Sequence, residues 1–147
     1  MDKKRSYFPF VKEVIDLVRG KRMELDNMRQ SLMIINEVAE EVKQGRKYII
    51  FPEGGYDKNH NEMQDFMAGA FKCAVKAKAP IVSVAIIDSY KVFGINSLRS
   101  VETQVHFLEP LYYEEYAQLN TREIAEIVKQ RISEKIDFQL ELKTGEA

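Results

Sequence analysis

The sequence predicts an α/β domain, a central and mostly parallel sheet flanked by helices, and three observations carry that reading. Apolar stripes at helical spacing alternate along the chain with short apolar runs of strand length. One of those runs, Ile81-Val82-Ser83-Val84-Ala85-Ile86-Ile87, is almost unbroken and rich in β-branched residues, as a strand covered on both faces would be. Another, Tyr48 to Phe51, stops abruptly at Pro52-Glu53-Gly54-Gly55, a turn placed where ligands bind in open α/β sheets. A chain of 147 residues is long enough for one core, so a single domain over residues 1–147 is expected.

Taken in order, Phe10, Val11, Val14, Ile15, Leu17 and Val18 form a helical stripe that ends at Gly20, and Met23 to Leu25 has the look of a short strand. Met28, Leu32, Ile35, Ala39 and Val42 recur at spacings of four, three, four and three, an amphipathic helix with Gly45 as its stop. Tyr48–Phe51 follows as a buried strand. After the turn and a polar loop, Met67, Ala70, Phe71, Ala74 and Val75 line one face of a helix, with Lys72, Lys76 and Lys78 mostly off it. Pro80 opens the strand at 81–87. Thr103 to Leu108 alternates polar and apolar like a strand nearer an edge, with His106 on the opposite side from Val105 and Phe107, a surface or packed structural histidine. Ile124, Ile127, Val128, Ile132 and Ile136 make a last helix before a polar tail. There is no internal repeat, low-complexity segment or linker.

Composition narrows the function classes. The net charge is -1, with no bulk signature of nucleic-acid binding, although residues 1–29 carry eight Lys/Arg against five Asp/Glu. Cys73 is the only cysteine, which suits a reducing compartment, and no apolar run approaches the length of a bilayer span. The N-terminus lacks the apolar region and cleavage site of a secretory signal.

The Pro-Glu-Gly-Gly turn is the main chemical feature. Its glycines permit positive φ and close approach of a ligand to the main chain, Glu53 can accept hydrogen bonds from hydroxyls, and backbone N–H groups in such a turn can cradle a phosphate. By the residues alone, a strand-ending turn with a solvated glutamate is the other reading.

"YIIFPEGG" resembles the FPEG motif of the glycerolipid acyltransferases, the family that includes the 1-acylglycerol-3-phosphate acyltransferases. "DFMAGAFKCAVKAKAPIVSVAI" resembles the stretch that follows that motif, and "KKRSYFPFVKEVIDLVRGKRMELDNMRQSL" the lysine-rich helix and hydrophobic-Asp-Arg block that precede it. Residues 3–110 follow the family's order. The resemblance implies acyl transfer from a thioester donor, acyl-CoA or an acyl carrier protein, to a lysophospholipid acceptor, with no metal or resident cofactor. It also implies that Pro52, Glu53 and Gly54 belong to the substrate-binding turn, and Gly55, the next residue of that turn, is expected to line the same site.

The sequence departs from the family in three places. The family's His-x4-Asp motif, a general base and the carboxylate that orients it, precedes the matched region and is absent here, so the expectation is a truncated or split form lacking its N-terminal catalytic segment. His60 and Asp65 have that spacing, but they lie after the turn, and a solvated loop histidine is the alternative reading. Where the family continues with Thr-Arg-Ser this chain has Gly55-Tyr56-Asp57, and Asn27 stands for the arginine after the upstream aspartate. Arg22, Arg29 and Lys58 are the cations placed to compensate; each reads equally as a solvated surface charge. A non-catalytic lysophospholipid-binding module is therefore the competing function.

Lys3, Lys4, Arg5, Tyr7, Phe8 and Phe10 put basic and aromatic residues ahead of an amphipathic helix, so residues 3–18 are expected to contact a membrane surface peripherally, with packing of that helix on the sheet as the alternative. The expected location is cytoplasmic, on the membrane's cytoplasmic face, and no nucleic-acid partner is expected.

Overall fold

The computed structural model describes residues 11–22, 27–55, 59–94 and 100–145. The chain divides into two compact units, Met1–Tyr48 and Ile49–Ala147. The segment expected as a strand around Met23 falls outside the described residues, as do Lys58, residues 1–10 of the basic-aromatic segment, and the departure at Tyr56-Asp57.

The first unit holds α1 (Val11–Leu17) and α2 (Met28–Lys43). Asn27 caps α2 by accepting the N–H of Gln30 on its side-chain oxygen at 3.1 Å. At the other end Gly45, at φ 93°, closes the helix as expected: its N–H donates to Val42 O and that of Arg46 to Glu41 O, the paired bonds of a left-handed cap. Of the predicted stripe Ala39 is buried, together with Val38, while Met28 and Leu32 are exposed. Glu41 is the electrostatic centre of this unit. It accepts from Lys21 Nζ and Arg46 Nη1, each at 2.5 Å, and from the Tyr48 hydroxyl. The Lys21 hydrogen bond, then that of Tyr48, holds its carboxyl down to about 2.

The second unit contains a 3-10 turn (Ala68–Phe71), α3 (Lys72–Ala77), β1 (Val84–Ile87), α4 (Lys91–Gly94), β2 (Gln104–Phe107), α5 (Tyr113–Tyr116) and α6 (Thr121–Gly145). The longest element, α6, starts at a capping box: Asn120 Oδ1 accepts from the N–H groups of Arg122 and Glu123, and Glu123 returns a carboxylate to the N–H of Asn120 at 2.7 Å. Its predicted stripe is the core. Ile124, Val128, Ile132 and Ile136 are buried with Ala85 and Ile87 of β1, Phe71, Leu111 and Tyr116. The helix runs on to residue 145, through the segment read as a polar tail.

Tyr116 locks this core to α3. Its hydroxyl donates to Ala79 O at 2.5 Å, beyond the left-handed Lys78 that ends α3, and burial pushes its pKa up to about 12.

Three local expectations are corrected. Tyr48–Phe51 forms no strand. Residues 46–51 have no regular structure, and Ile49 and Phe51 are 86% and 71% exposed, because strand formation needs a pairing partner and none of the described residues supplies one. The 81–87 run is covered on one face only: Ser83, Ala85 and Ile87 are buried, whereas Val82 and Ile86 are exposed. Helix α3 begins later than the apolar stripe suggested, since Met67 is extended and donates its N–H to Pro52 O at 2.8 Å.

The described sheet has two strands, β1 and β2, paired antiparallel with Ala85 opposite His106 and Ile86 opposite Val105. A mostly parallel sheet is not present among the described residues. His106 lies half-buried on the α6 side of the sheet, its ring Nε2 3.0 Å from Gln104 Oε1. The opposite face presents Ile86, Val105 and Phe107 to solvent.

Candidate functional site

The Pro52–Gly55 turn is built by its sequence. Pro52 and Glu53 occupy the two central positions, and the N–H of Gly54 closes the turn on Phe51 O at 3.2 Å. Gly54 sits at φ 72°, and a Cβ there would come within 2.7 Å of Met67 Sδ, so both backbone conformation and space call for glycine. Gly55 is different. It is exposed, and a Cβ would meet nothing within 4 Å, so packing makes no demand for glycine at this position.

The turn is tied to the segment that follows it. Pro52 O accepts from Met67, and the half-buried Glu53 accepts a long bond from the N–H of Gln64 at 3.4 Å. Lys129 on α6 stands over the same region. Its ammonium pairs with Asp65 at 2.7 Å, and that hydrogen bond raises its pKa, with further contributions from the negative charges of Asp65, Glu126 and Glu53.

His60 and Asp65, which share the family's catalytic spacing, do not pair. Asp65 is fully exposed and bonded to Lys129. His60, in the left-handed region at φ 57°, stacks its ring on Tyr90 with centroids 4.3 Å apart. Each side chain is engaged by a different element, α6 in one case and the turn after β1 in the other. Arg22 and Arg29 belong to the first unit; Arg22 pairs there with Asp16 at 2.6 Å, and Arg29 is exposed in the first turn of α2.

The strongest polar cluster of the second unit was not singled out from the sequence. Asp88 follows β1 at φ 62°, with its side chain only 5% exposed. Asn61 grips it twice, donating Nδ2–H to Asp88 Oδ1 at 3.0 Å and accepting the Asp88 N–H at 2.9 Å. Lys143 near the end of α6 and Lys91 of α4 donate to its other oxygen at 2.7 and 2.9 Å. Burial would raise the Asp88 carboxyl, but the bonds from Lys143, Asn61 and Lys91 outweigh it and hold the group at about 2. The signal in the sequence was a carboxylate directly after a buried apolar strand; its partners, 27 and 55 residues away, carried none.

Against α6, residues 59–63 enclose a groove of about 620 Å³. Met63, Ile136 and Leu140 give it apolar surface, and Asn59, Asn61 and Ser133 give it amide and hydroxyl groups.

No helix among the described residues is long and apolar enough to cross a membrane.

The chain spans about half the length of the curated relatives it matches. It is 27% identical over 133 residues to the 1-acyl-sn-glycerol-3-phosphate acyltransferase of Escherichia coli (strain K12), covering 87% of this chain and 54% of that protein. It is 26% identical to the corresponding enzyme of Salmonella typhimurium, over 88% of this chain and 53% of the relative. In fold it is similar to the crystal structure of the 1-acyl-sn-glycerophosphate (LPA) acyltransferase, PlsC, from Thermotoga maritima, with a TM-score of 0.72, 21% identity, and coverage of 97% of this chain and 55% of that one. The acyltransferase family model matches residues 1–87, the stretch that contains the Pro-Glu-Gly-Gly turn, and the chain belongs to the acyltransferase family.

Proposed function

We propose that this chain is an acyltransferase domain of glycerophospholipid synthesis. Its acceptor is a lysophospholipid of the 1-acylglycerol-3-phosphate type, its donor an acyl thioester, and its Pro52–Gly55 turn holds the acceptor headgroup. The observation that carries the reading is the turn itself, inside the family match. Gly54 is fixed by conformation, Gly55 is bare without a packing reason, and the half-buried Glu53 takes a single long hydrogen bond among the described residues. A ligand approaching the main chain at Gly55 and offering hydroxyls to Glu53 accounts for all three.

Exposed Val14 and Leu17 on α1, with exposed Val18 just after it, support a peripheral membrane contact on the cytoplasmic face. We read residues 1–147 as one acyltransferase-like domain.

The test is calorimetric titration of the full chain with a short-chain 1-acylglycerol 3-phosphate below its micellar concentration. The wild type should bind, and Glu53→Ala should bind about tenfold more weakly, the loss of one charge-assisted hydrogen-bonded contact. Equal affinity in the two proteins would remove the turn from the site.

A second reading, a lysophospholipid-binding module without chemistry, is favoured by the separation of His60 from Asp65, each bound elsewhere. An acyl-transfer assay on the same proteins decides between them. Turnover abolished by Glu53→Ala supports the transferase, and binding without turnover supports the module.

A further inference from the structure

Within residues 66–71, one large side chain turns away from the core. Phe66 and Ala70 pack against the buried cluster and Phe71 lies in it, whereas Met67 is 49% exposed. By the apolar stripe Met67 belongs with its buried neighbours; in the fold its thioether lies on the Pro52–Gly55 turn instead.

Two backbone bonds fix where that side chain starts. The Met67 N–H donates to Pro52 O at 2.8 Å, and the Met67 carbonyl accepts from the Ala70 N–H at 2.9 Å as the 3-10 turn begins. The main chain is therefore tied to the acceptor turn on one side and to a core-anchored segment on the other. Only the side-chain torsions remain free to move.

At Gly54 the thioether fills the space that a side chain would take. A Cβ there would meet Met67 Sδ at 2.7 Å and Met67 Cγ at 3.9 Å, whereas a Cβ on Gly55 would meet nothing within 4 Å. Of two adjacent glycines, one is covered and the other is open. A group that reaches the main chain at Gly55 and extends towards Gly54 runs into Met67. The room available at the turn is thus set by this side chain.

A thioether carries no charge and is only a weak hydrogen-bond acceptor, so it acts on a ligand through contact and excluded volume. Its rotatable bonds let it shift aside at a cost, which makes the exclusion graded. Such a residue sorts ligands by bulk. A compact phosphate monoester fits beside it, and a phosphodiester carrying choline has to displace it. Specificity is a difference of affinities, and a clash with the wrong ligand contributes to it as contact with the right one does.

We propose that Met67 is the specificity-determining residue of the acceptor turn, its thioether excluding headgroups bulkier than a phosphate monoester. The ligand class rests on the lysophospholipid reading above, whereas the covering of Gly54 rests on the geometry of the chain.

The test is calorimetric titration of the full chain as wild type, Met67→Ala and Met67→Leu. The ligands are short-chain 1-acylglycerol 3-phosphate and the same lipid bearing phosphocholine, each below its micellar concentration. Wild type should bind the phosphate lipid at least about tenfold more tightly than the phosphocholine lipid. Met67→Ala should tighten the phosphocholine lipid about fivefold and weaken the phosphate lipid about twofold, so that the preference collapses. Met67→Leu, close to methionine in volume, should keep the preference within about threefold of wild type.

A merely structural role for Met67 would weaken both lipids together and leave their ratio unchanged. That result overturns the proposal, as does a wild type that binds the two lipids equally. A wild-type measurement decides the matter even if Met67→Ala fails to fold. With the methionine methyl groups ¹³C-labelled, the Met67 methyl should shift as the phosphate lipid binds, and that of exposed Met33 on α2 should not. Amides of residues 53–55 that shift while the Met67 methyl stays in place overturn the proposal and leave the acceptor reading standing. Amides there that neither lipid moves remove the acceptor reading, and the role of Met67 with it.

Discussion

Replacing Asp88 by Asn tests the polar lock that holds residues 59–63 against the end of β1. Asparagine keeps the size of the side chain and tolerates the left-handed φ of 62°, so the substitution removes charge without adding backbone strain. The carboxyl titrates at about 2 against its ordinary 3.8. That difference corresponds to roughly 2 kcal/mol of native-state stability at neutral pH. Water screens Lys91 and Lys143, whose side chains are each 36% exposed, and brings the expectation to about 1–2 kcal/mol. For a cooperative unit of this size that is a fall in Tm of roughly 5–15 °C.

The sign of the pH dependence follows from the depressed native pKa. The stabilisation is present above the unfolded value of 3.8 and is lost as pH falls through about 2. Thermal unfolding followed by circular dichroism should therefore show a gap between wild type and Asp88→Asn at pH 7 that closes between about pH 4 and pH 2. A Tm within about 2 °C of wild type at pH 7, or a gap that persists undiminished at pH 2, would refute the reasoning.

Three further predictions concern other parts of the chain. Gly54→Ala should cost about 1–2 kcal/mol, because alanine is strained at φ 72° while half-exposed Met67 moves aside from the new Cβ; a denaturant midpoint equal to wild type would contradict this. Tyr116→Phe should cost about 1–2 kcal/mol, since it strands the Ala79 carbonyl at the end of α3, and an unchanged midpoint would show that water or a neighbour replaces the hydroxyl. The Glu41 carboxyl should titrate near 2 by NMR, its stabilisation complete above the ordinary 4.5 and lost as pH falls through about 2, and Lys21→Met should raise that value. A wild-type midpoint at 4.5 would contradict the hydrogen-bonded arrangement.

What the sequence made legible was local. The stripe at Ile124, Val128, Ile132 and Ile136, and the stop at Gly45, follow from helical periodicity and from one residue's tolerance of positive φ. Pro52 and Gly54 likewise announce their turn through their own backbone restrictions. Pairing was less legible. The residues of Tyr48–Phe51 have the propensity of a strand, but a strand exists only where another supplies its hydrogen bonds, and a local run holds no information about that. The same limit applies to coverage at 81–87, where Val82 and Ile86 are as apolar as their buried neighbours and only the placement of α6 decides which face is covered. In the candidate site, the turn could be read from four consecutive residues. Asn61, Asp88 and Lys143 could not, because each is an ordinary polar residue until the fold joins positions 27 and 55 apart.

The central claim is that the Pro52–Gly55 turn receives a lysophospholipid headgroup. Its most direct measurement is the amide spectrum of residues 53–55 during titration of the full chain with short-chain 1-acylglycerol 3-phosphate, set against the same lipid bearing a phosphocholine headgroup. The account predicts saturable shifts at Glu53, Gly54 and Gly55 with the phosphate lipid, abolished or strongly weakened in Glu53→Ala. Shifts at these residues that are absent, or equal for both lipids and unchanged by Glu53→Ala, would contradict it.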